Sequence, residues 1–273
     1  MGNVLHSGLE RFARHIKEQG VEWDEISLEE MEKLADSCVE EAVDSYGNTV
    51  LQSDARNAYM VNRVKRMMRR TVWALAKQME QGEFKPSRFE VSFAMADSLE
   101  SVNIALSEEE TMKLKGRIDR VDVCEDSENV YVKVIDYKSG NTAFDLVALY
   151  HGLQLQLVLY LNAAMELEQR AHPDKNVLPA GIFYYNIKDP IVDCVEKESE
   201  EALNQRLLKQ LRMNGLASAD PEILKRLDKG LEEKGVSSNS IPVSINKSGG
   251  LSKTSSAVDE VHFELVSGYV KHK

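Results

Sequence analysis

A chain of 273 residues that is 42% hydrophobic and 29% charged is ordinary globular material, long enough to bury a core as one large domain or two small ones. Its net charge of −11 excludes a protein that grips nucleic acid over its whole surface, because neutralising phosphates needs an excess of Lys and Arg. No apolar run is long enough to cross a bilayer, and Met1 to Gly20 lacks the charged start, apolar middle and small-residue cleavage site of a signal peptide, so no membrane contact and a cytoplasmic location are expected.

In chain order, Val4 to Gln19 reads as an amphipathic helix with Leu5, Leu9, Phe12 and Ile16 at helical spacing and His6 in its first turn. Ile26 to Tyr46 is a second helix, opened by Ser27 with Glu30 three residues on, the pattern of a capping box. Asp54 to Glu80 is a third, stopped by Gly82. Residues 1–85 therefore form a helical N-terminal part. Arg56, Arg63, Arg66 and Arg70 make the best local patch for nucleic acid, although a solvated helix face gives the same pattern.

Residues 86–190 read as the core. Pro86 begins a strand in which Phe89, Val91 and Phe93 alternate with Arg88, Glu90 and Ser92, which puts Glu90 on the face opposite the aromatics. Lys115 to Val123 and Val130 to Lys138 are β-branched-rich runs around the polar segment Glu125 to Asn129, hence a hairpin. A turn centred near Ser127 and Glu128 sets Asp119 across from Asp136, with Cβ atoms roughly 5 Å apart. Side chains alternate along a strand, so Asp136 and Lys138 share a face, carried out of an apolar layer by Val132 and Val134.

Two facing carboxylates repel, and a cation explains them; hard oxygen ligands suit Mg²⁺ or Mn²⁺ better than zinc. An adjacent lysine can then bind a phosphate oxygen or orient an attacking water. For an arbitrary D-x-K the bland alternative is a solvated hairpin with Asp and Lys paired across its open face. An unrelated acid–base or Schiff-base role for Lys138 is a second alternative, but it has no use for Asp119 opposite Asp136.

Further on, His151 to Gln169 reads as an apolar helix with Gln156 and Tyr160 four apart on one face, able to reach a shared polar ligand or to satisfy buried backbone groups. Val177 to Asn186 is an aromatic-rich strand expected beside the hairpin. Residues 191–273 read as C-terminal helices, Ser199 to Met213, Pro221 to Lys234 and Val258 to His272, with a Ser/Asn/Gly-rich flexible loop over 235–257. Gly249 to Thr254 superficially suggests a phosphate loop but lacks its spacing and a preceding strand. Cys38, Cys124 and Cys194 are far apart, with no C-x-x-C pair, and read as reduced and structural.

Taken together, Gly2-Asn3-Val4-Leu5-His6, Glu90, Gly116-Arg117-Ile118-Asp119-Arg120-Val121-Asp122, Ile135-Asp136-Tyr137-Lys138-Ser139-Gly140 and Gln154 to Tyr160, in that order, resemble the PD-(D/E)XK nucleases, in particular the RecB-like nuclease domains of bacterial helicase-nuclease subunits. The resemblance covers essentially the whole chain. It implies an α/β fold with a restriction-endonuclease-like αβββαβ core, a mixed central sheet flanked by helices, and extra helices at both ends, as a single nuclease domain over 1–273.

It also implies a Mg²⁺- or Mn²⁺-dependent deoxyribonuclease active in double-strand break repair and recombination. His6, Asp119, Asp136 and the carbonyl of Tyr137 are then metal ligands, Lys138 is catalytic with Asp136, Asp119 and the nearby Glu90, and Gln156 and Tyr160 hold DNA. The implied partners are DNA, single-stranded at the site, and an AddA-like helicase-nuclease subunit. The resemblance further implies an iron-sulphur cluster in a longer protein; none of the three cysteines here has the spacing for one, and the chain is expected to be an excised domain. The competing reading is a nuclease-like module that guides DNA without cutting it; the intact D-x-K, second acid and histidine speak against it.

Overall fold

The structure is a computed structural model, and it describes residues 2–23, 25–45, 55–92, 99, 103–105, 111–113, 116–193 and 199–269. The chain opens with α1 (Gly2–Gln19), α2 (Leu28–Ser45) and α3 (Ala55–Glu80), followed by β1 (Lys85–Ser92), β2 (Asn103–Ala105), β3 (Thr111–Lys113), β4 (Arg117–Glu125) and β5 (Asn129–Lys138). Next come α4 (Leu146–Tyr150), α5 (Gln156–Ala171), β6 (Asn176–Asn186), α6 (Glu200–Gln210) and β7 (Asn214–Ser218). The chain continues through α7 (Pro221–Leu227), β8 (Ala257–Val258) and α8 (Glu260–Tyr269). These elements form two compact units. Met1–Glu80, Tyr137–Thr142 and Asn186–Arg212 make a helical unit; Gln81–Asp136, Ala143–Tyr185 and Met213–Lys273 make a sheet unit.

In the helical unit, the expected stripe of α1 is buried: Leu5, Leu9, Phe12 and Ile16 join Met31, Ala35 and Val39 of α2 and Val64, Met68, Val72 and Leu75 of α3 in the core. The apolar period of 3.6 makes each helix one-sided, and the three faces need one another. Ser27 caps α2 as its sequence promises: its Oγ accepts from the Glu30 N–H at 3.3 Å and donates to the Glu30 carboxylate at 2.6 Å. The arginine stripe of α3 is divided. Arg56 and Arg63 are exposed, whereas Arg66 and Arg70 both face Asp189, and Arg70 also lies 5.3 Å from the centre of the Trp73 ring.

The sheet unit is built on a six-stranded mixed sheet of order β1-β4-β5-β6-β7-β8, with β2 and β3 forming a separate two-stranded sheet. β1 pairs antiparallel with β4, β4 with β5 and β6 with β7, while β7 and β8 run parallel. At the start of β6 the Asn176 N–H donates to the Glu128 carbonyl, and beyond its end the Ile187 N–H donates to that of Lys138, so β5 and β6 run the same way. A parallel neighbour needs a crossover, and α5 supplies it. Leu157, Val158, Leu161, Ala163 and Ala164 of α5 pack on Val121, Val130, Val132, Val134, Ile182 and Leu216, with Phe263 of α8 in the same core. The mixed, helix-flanked sheet matches the expected α/β class.

Several boundaries differ from the sequence reading. The helix expected over 151–169 begins only at Gln156, after a turn that follows the short α4, because Gly152 takes φ +78° and the Gln154 side chain ties the loop by bonds to the Asp145 N–H and the Ala143 carbonyl, each 2.9 Å long. The helix expected to reach Met213 stops at Gln210, and 214–218 is a strand whose small residues gave no β signal. The helix expected over 221–234 breaks at Asp228, whose carboxylate accepts from the Gly230 N–H and the Ser238 hydroxyl, and continues as a 3-10 turn over Lys229–Glu232. Val258 belongs to β8 rather than to the last helix. Cys38 and Cys124 are buried and without a disulfide, and burial pushes the Cys38 thiol up to about 12; Cys194, Phe93 and Lys115 lie outside the described residues.

Gly215 explains why β7 can pair at all. Its φ of +156° and the approach of β6 leave no room for a side chain: a Cβ there would stand 2.0 Å from the Ile182 carbonyl oxygen. Gly215→Ala is therefore expected to destabilise the protein by about 2 kcal/mol or more, read as a lowered urea midpoint, because the clash is with backbone that cannot rotate away.

Candidate active site

The hairpin register sets the site. A tight turn fixes it: Asp126 Oδ1 accepts from the N–H groups of Glu128 at 2.9 Å and Asn129 at 2.8 Å, and the Tyr131 hydroxyl donates to Oδ2 at 2.9 Å. These bonds, the backbone ones foremost, hold the Asp126 carboxyl down at about 2. From that turn the β4–β5 ladder runs from Glu125↔Val130 to Arg120↔Ile135, and its next step sets Asp119 beside Asp136. On the other flank of β4, the pairs Phe89↔Arg120 and Val91↔Ile118 bracket Glu90, leaving it opposite Asp119. A carboxylate oxygen of Glu90 lies within 4.8 Å of one of Asp119. Three acids from three adjacent strands thus stand in one row.

The row is enclosed. Asp136 is 2% exposed and Asp119 6%. Arg117, two residues before Asp119, forms an ion pair with Glu90. Gln156, the first residue of α5, donates its amide N–H to Asp136 Oδ1 at 3.3 Å and to the Tyr160 hydroxyl at 2.7 Å. Burial pushes the phenols nearby upward, with the Asp136 charge adding to the effect: Tyr184 to about 12, and Tyr160, which also feels Asp119, in the same direction. Glu90 takes φ +50°, the sole positive value at a non-glycine among the described residues.

The end of β5, Tyr137 and Lys138, belongs to the helical unit. There the His6 ring of α1 stands edge-on to the Tyr137 ring, with centroids 6.2 Å apart. Lys138 is half-buried, and its carbonyl accepts the Ile187 N–H at 2.8 Å. Alternation along the strand gives Lys138 the same side as Asp136.

Two features escape the sequence reading. Arg117 is one; its even spacing from Asp119 could have placed it on the acid face. The other is a buried ion cluster from the same hairpin. Arg120 Nε donates to Asp122 Oδ1 at 2.5 Å, Lys133 Nζ lies 2.9 Å from Asp122 Oδ2, and all three residues are buried. Burial alone would raise the Asp122 carboxyl, but the Arg120 and Lys133 charges bring it below its ordinary value, while burial lowers the Lys133 ammonium. The register Asp122↔Lys133 follows from the one that pairs Asp119 with Asp136, so this cross-strand pair was implicit in the hairpin.

The donors fit a hard divalent cation. Three carboxylates and one guanidinium leave the row a formal charge of −2, and oxygen donors favour Mg²⁺ or Mn²⁺. The helix-flanked mixed sheet is the fold of a nuclease class, and the comparison with known families agrees: residues 1–237 match the PD-(D/E)XK nuclease superfamily, and the chain belongs to it. Among individual proteins it is 40% identical, over 99% of its length, to a subunit of the ATP-dependent helicase/deoxyribonuclease of Lachnoclostridium phytofermentans. The same subunit from Caldanaerobacter subterraneus subsp. tengcongensis and from Clostridium acetobutylicum is 38% and 36% identical over the whole of it. The chain spans 23% of the length of each of these relatives.

The Arg120–Asp122–Lys133 cluster makes a stability prediction. Asp122→Ala leaves two buried cations facing one another and is expected to cost about 3–5 kcal/mol, whereas the triple change Arg120→Met, Asp122→Leu, Lys133→Met should fall much nearer the parent. Urea denaturation of the two variants and the parent checks the difference.

Proposed function

We propose that this chain hydrolyses DNA phosphodiester bonds with the aid of a bound Mg²⁺ or Mn²⁺. The observation that carries this reading is the row of Glu90, Asp119 and Asp136 on β1, β4 and β5, continued along β5 by Tyr137 and Lys138. Asp119 and Asp136 would hold the ion, with the Tyr137 carbonyl and His6 as further ligands carried over from the family resemblance. The ion, when bound, polarises the scissile phosphate and lowers the pKa of its water.

The protein's own groups do the rest. Asp119 and Asp136, nearly shielded from solvent, are held by the strands that carry them and lose little by reorganisation. Glu90, ion-paired with Arg117, keeps its carboxylate beside Asp119. Lys138 cannot ligate a cation, so its value is as a point charge that steadies a phosphate oxygen or the attacking water as negative charge develops. Water adds to phosphorus, the bond from phosphorus to the ester oxygen breaks, and the products are a phosphate monoester and an alcohol.

The relatives are named as subunits of an ATP-dependent helicase/deoxyribonuclease. By that likeness the substrate is DNA, single-stranded at the site, and the setting is a cytoplasmic helicase-nuclease complex with a partner subunit, acting in double-strand break repair and recombination. Among the described residues no helix is long and apolar enough to cross a membrane.

The test is cleavage of a single-stranded oligonucleotide across a Mn²⁺ and Mg²⁺ titration, with calorimetric Mn²⁺ binding on the same samples. Lys138→Ala is expected to bind Mn²⁺ as the parent does but to cleave about 100-fold slower or worse, the usual cost of one lost catalytic contact. Asp136→Ala should lose both binding and cleavage. Parental cleavage by Lys138→Ala would sink the mechanism, and a parent that binds metal without cutting would leave only a DNA-guiding role.

A further inference from the structure

Gln156 and Tyr160 lie four apart on α5, a spacing that brings two side chains to one helix face. What that face meets is protein. Tyr160 is 7% exposed, and its ring sits in the core among Val132, Val134, Leu157 and Leu161. Its hydroxyl accepts from the Gln156 amide at 2.7 Å and makes a backbone hydrogen bond with Arg117 of β4. The Gln156 amide nitrogen has two hydrogens, and two acceptors stand within reach: that hydroxyl and Asp136 Oδ1. A continuous bonded path therefore runs from the main chain of β4, two residues before Asp119, through Tyr160 and Gln156 to the carboxylate of Asp136 on β5.

We propose that Gln156 and Tyr160 are positioning residues for the metal-ligating acids, tying β4 to the Asp136 carboxylate so that Asp119 and Asp136 present their oxygens together, and that neither residue touches DNA. This rests on the reading of Asp119 and Asp136 as ligands. A phosphate has no amide hydrogen of Gln156 left to bind, and a base cannot stack on a ring that is 7% exposed and part of the core. The energetic need is plain. Two buried carboxylates on neighbouring strands repel, and each is driven to rotate away from the other. A donor fixed to one oxygen of Asp136 opposes that rotation, and Tyr160 in turn fixes the donor to the strand that carries the second acid. Outer partners of this kind orient a ligand and raise its effectiveness without meeting the ion.

The experiment uses the whole chain with Gln156→Met, which keeps side-chain length and removes both donors, and Tyr160→Phe, which removes only the hydroxyl. Melting curves in EDTA verify folding. Manganese affinity is measured by calorimetry without DNA, and affinity for a single-stranded oligonucleotide is measured in EDTA. The expected result is a Mn²⁺ Kd raised about 10-fold or more in both variants, with oligonucleotide affinity in EDTA equal to that of the parent. Parental Mn²⁺ affinity, or a selective loss of oligonucleotide binding, overturns the proposal.

A metal-independent measurement separates this from the function proposed above. Metal-free crystal structures of the parent and Gln156→Met should show one Asp136 carboxylate orientation in the parent and a changed one in the variant. An unmoved Asp136 overturns the positioning role. A moved Asp136 in a protein that binds no Mn²⁺ sustains the tie between strands and removes the metal reading alone.

Discussion

Everything at the candidate site depends on the register of β4 against β5. Side chains alternate with a period of two, so a slip of one residue would carry Asp119 and Asp136 to opposite sides of the sheet and separate Asp122 from Lys133. The protein therefore commits a good deal of chemistry to holding the register. The turn is closed by Asp126 and Tyr131, and the apolar residues Val130, Val132 and Val134 are buried under α5. On the remaining face the Arg120–Asp122–Lys133 cluster pairs only when the strands are aligned as they are. A buried ion cluster is a poor source of net stability. As a device that penalises the wrong alignment it has a clear physical use, since any slip strands a charge in the core.

The two faces of this hairpin treat buried charge in opposite ways. Behind the sheet, Asp122 meets two internal cations, and its carboxyl is held below the ordinary range. In front, the row of Glu90, Asp119 and Asp136 includes the cation of Arg117 and the neutral donor Gln156. On the proposed reading, that difference separates structural from functional use of the same residue type. A site meant to take up an external divalent ion has to keep a deficit of internal positive charge, and neutral donors such as an amide can orient a carboxylate without cancelling it.

Much of this was legible because it is local. Alternation in β4 and β5, with the polar segment 125–129 between them, fixes the turn, and the turn fixes Asp119 next to Asp136 by arithmetic. The helices of the first third were legible from apolar spacing and from the Ser27–Glu30 cap. What was not legible depends on contacts made far along the chain. β7 is a strand only because β6 lies alongside, and its Asn-Gly-Leu-Ala-Ser sequence has no β-branched residue to announce it. The break before α5 follows from Gln154 bonding back to residues 143 and 145. His6 entered through family resemblance alone: a histidine in the first turn of an amphipathic helix has no local signature of ligation, and its neighbour Tyr137 is more than a hundred residues away. Gln156 and Tyr160 were visible as a pair on one face, but their spacing could not say whether that face looks to solvent or to Asp136.

Glu90 shows how far the fold is bent toward its site. A glutamate gains nothing intrinsic from φ +50°, and a left-handed backbone at a residue with a Cβ costs about 1–3 kcal/mol. The flanking pairs, Phe89↔Arg120 and Val91↔Ile118, hold on either side of it, while the register shift of β1 lies further back, between Pro86 and Arg88. The distortion sits where the Glu90 carboxylate comes within 4.8 Å of Asp119. The strained backbone stands at one edge of the row and the Gln156 amide at the other, so the acids are flanked by a fixed main chain on β1 and a neutral donor on α5.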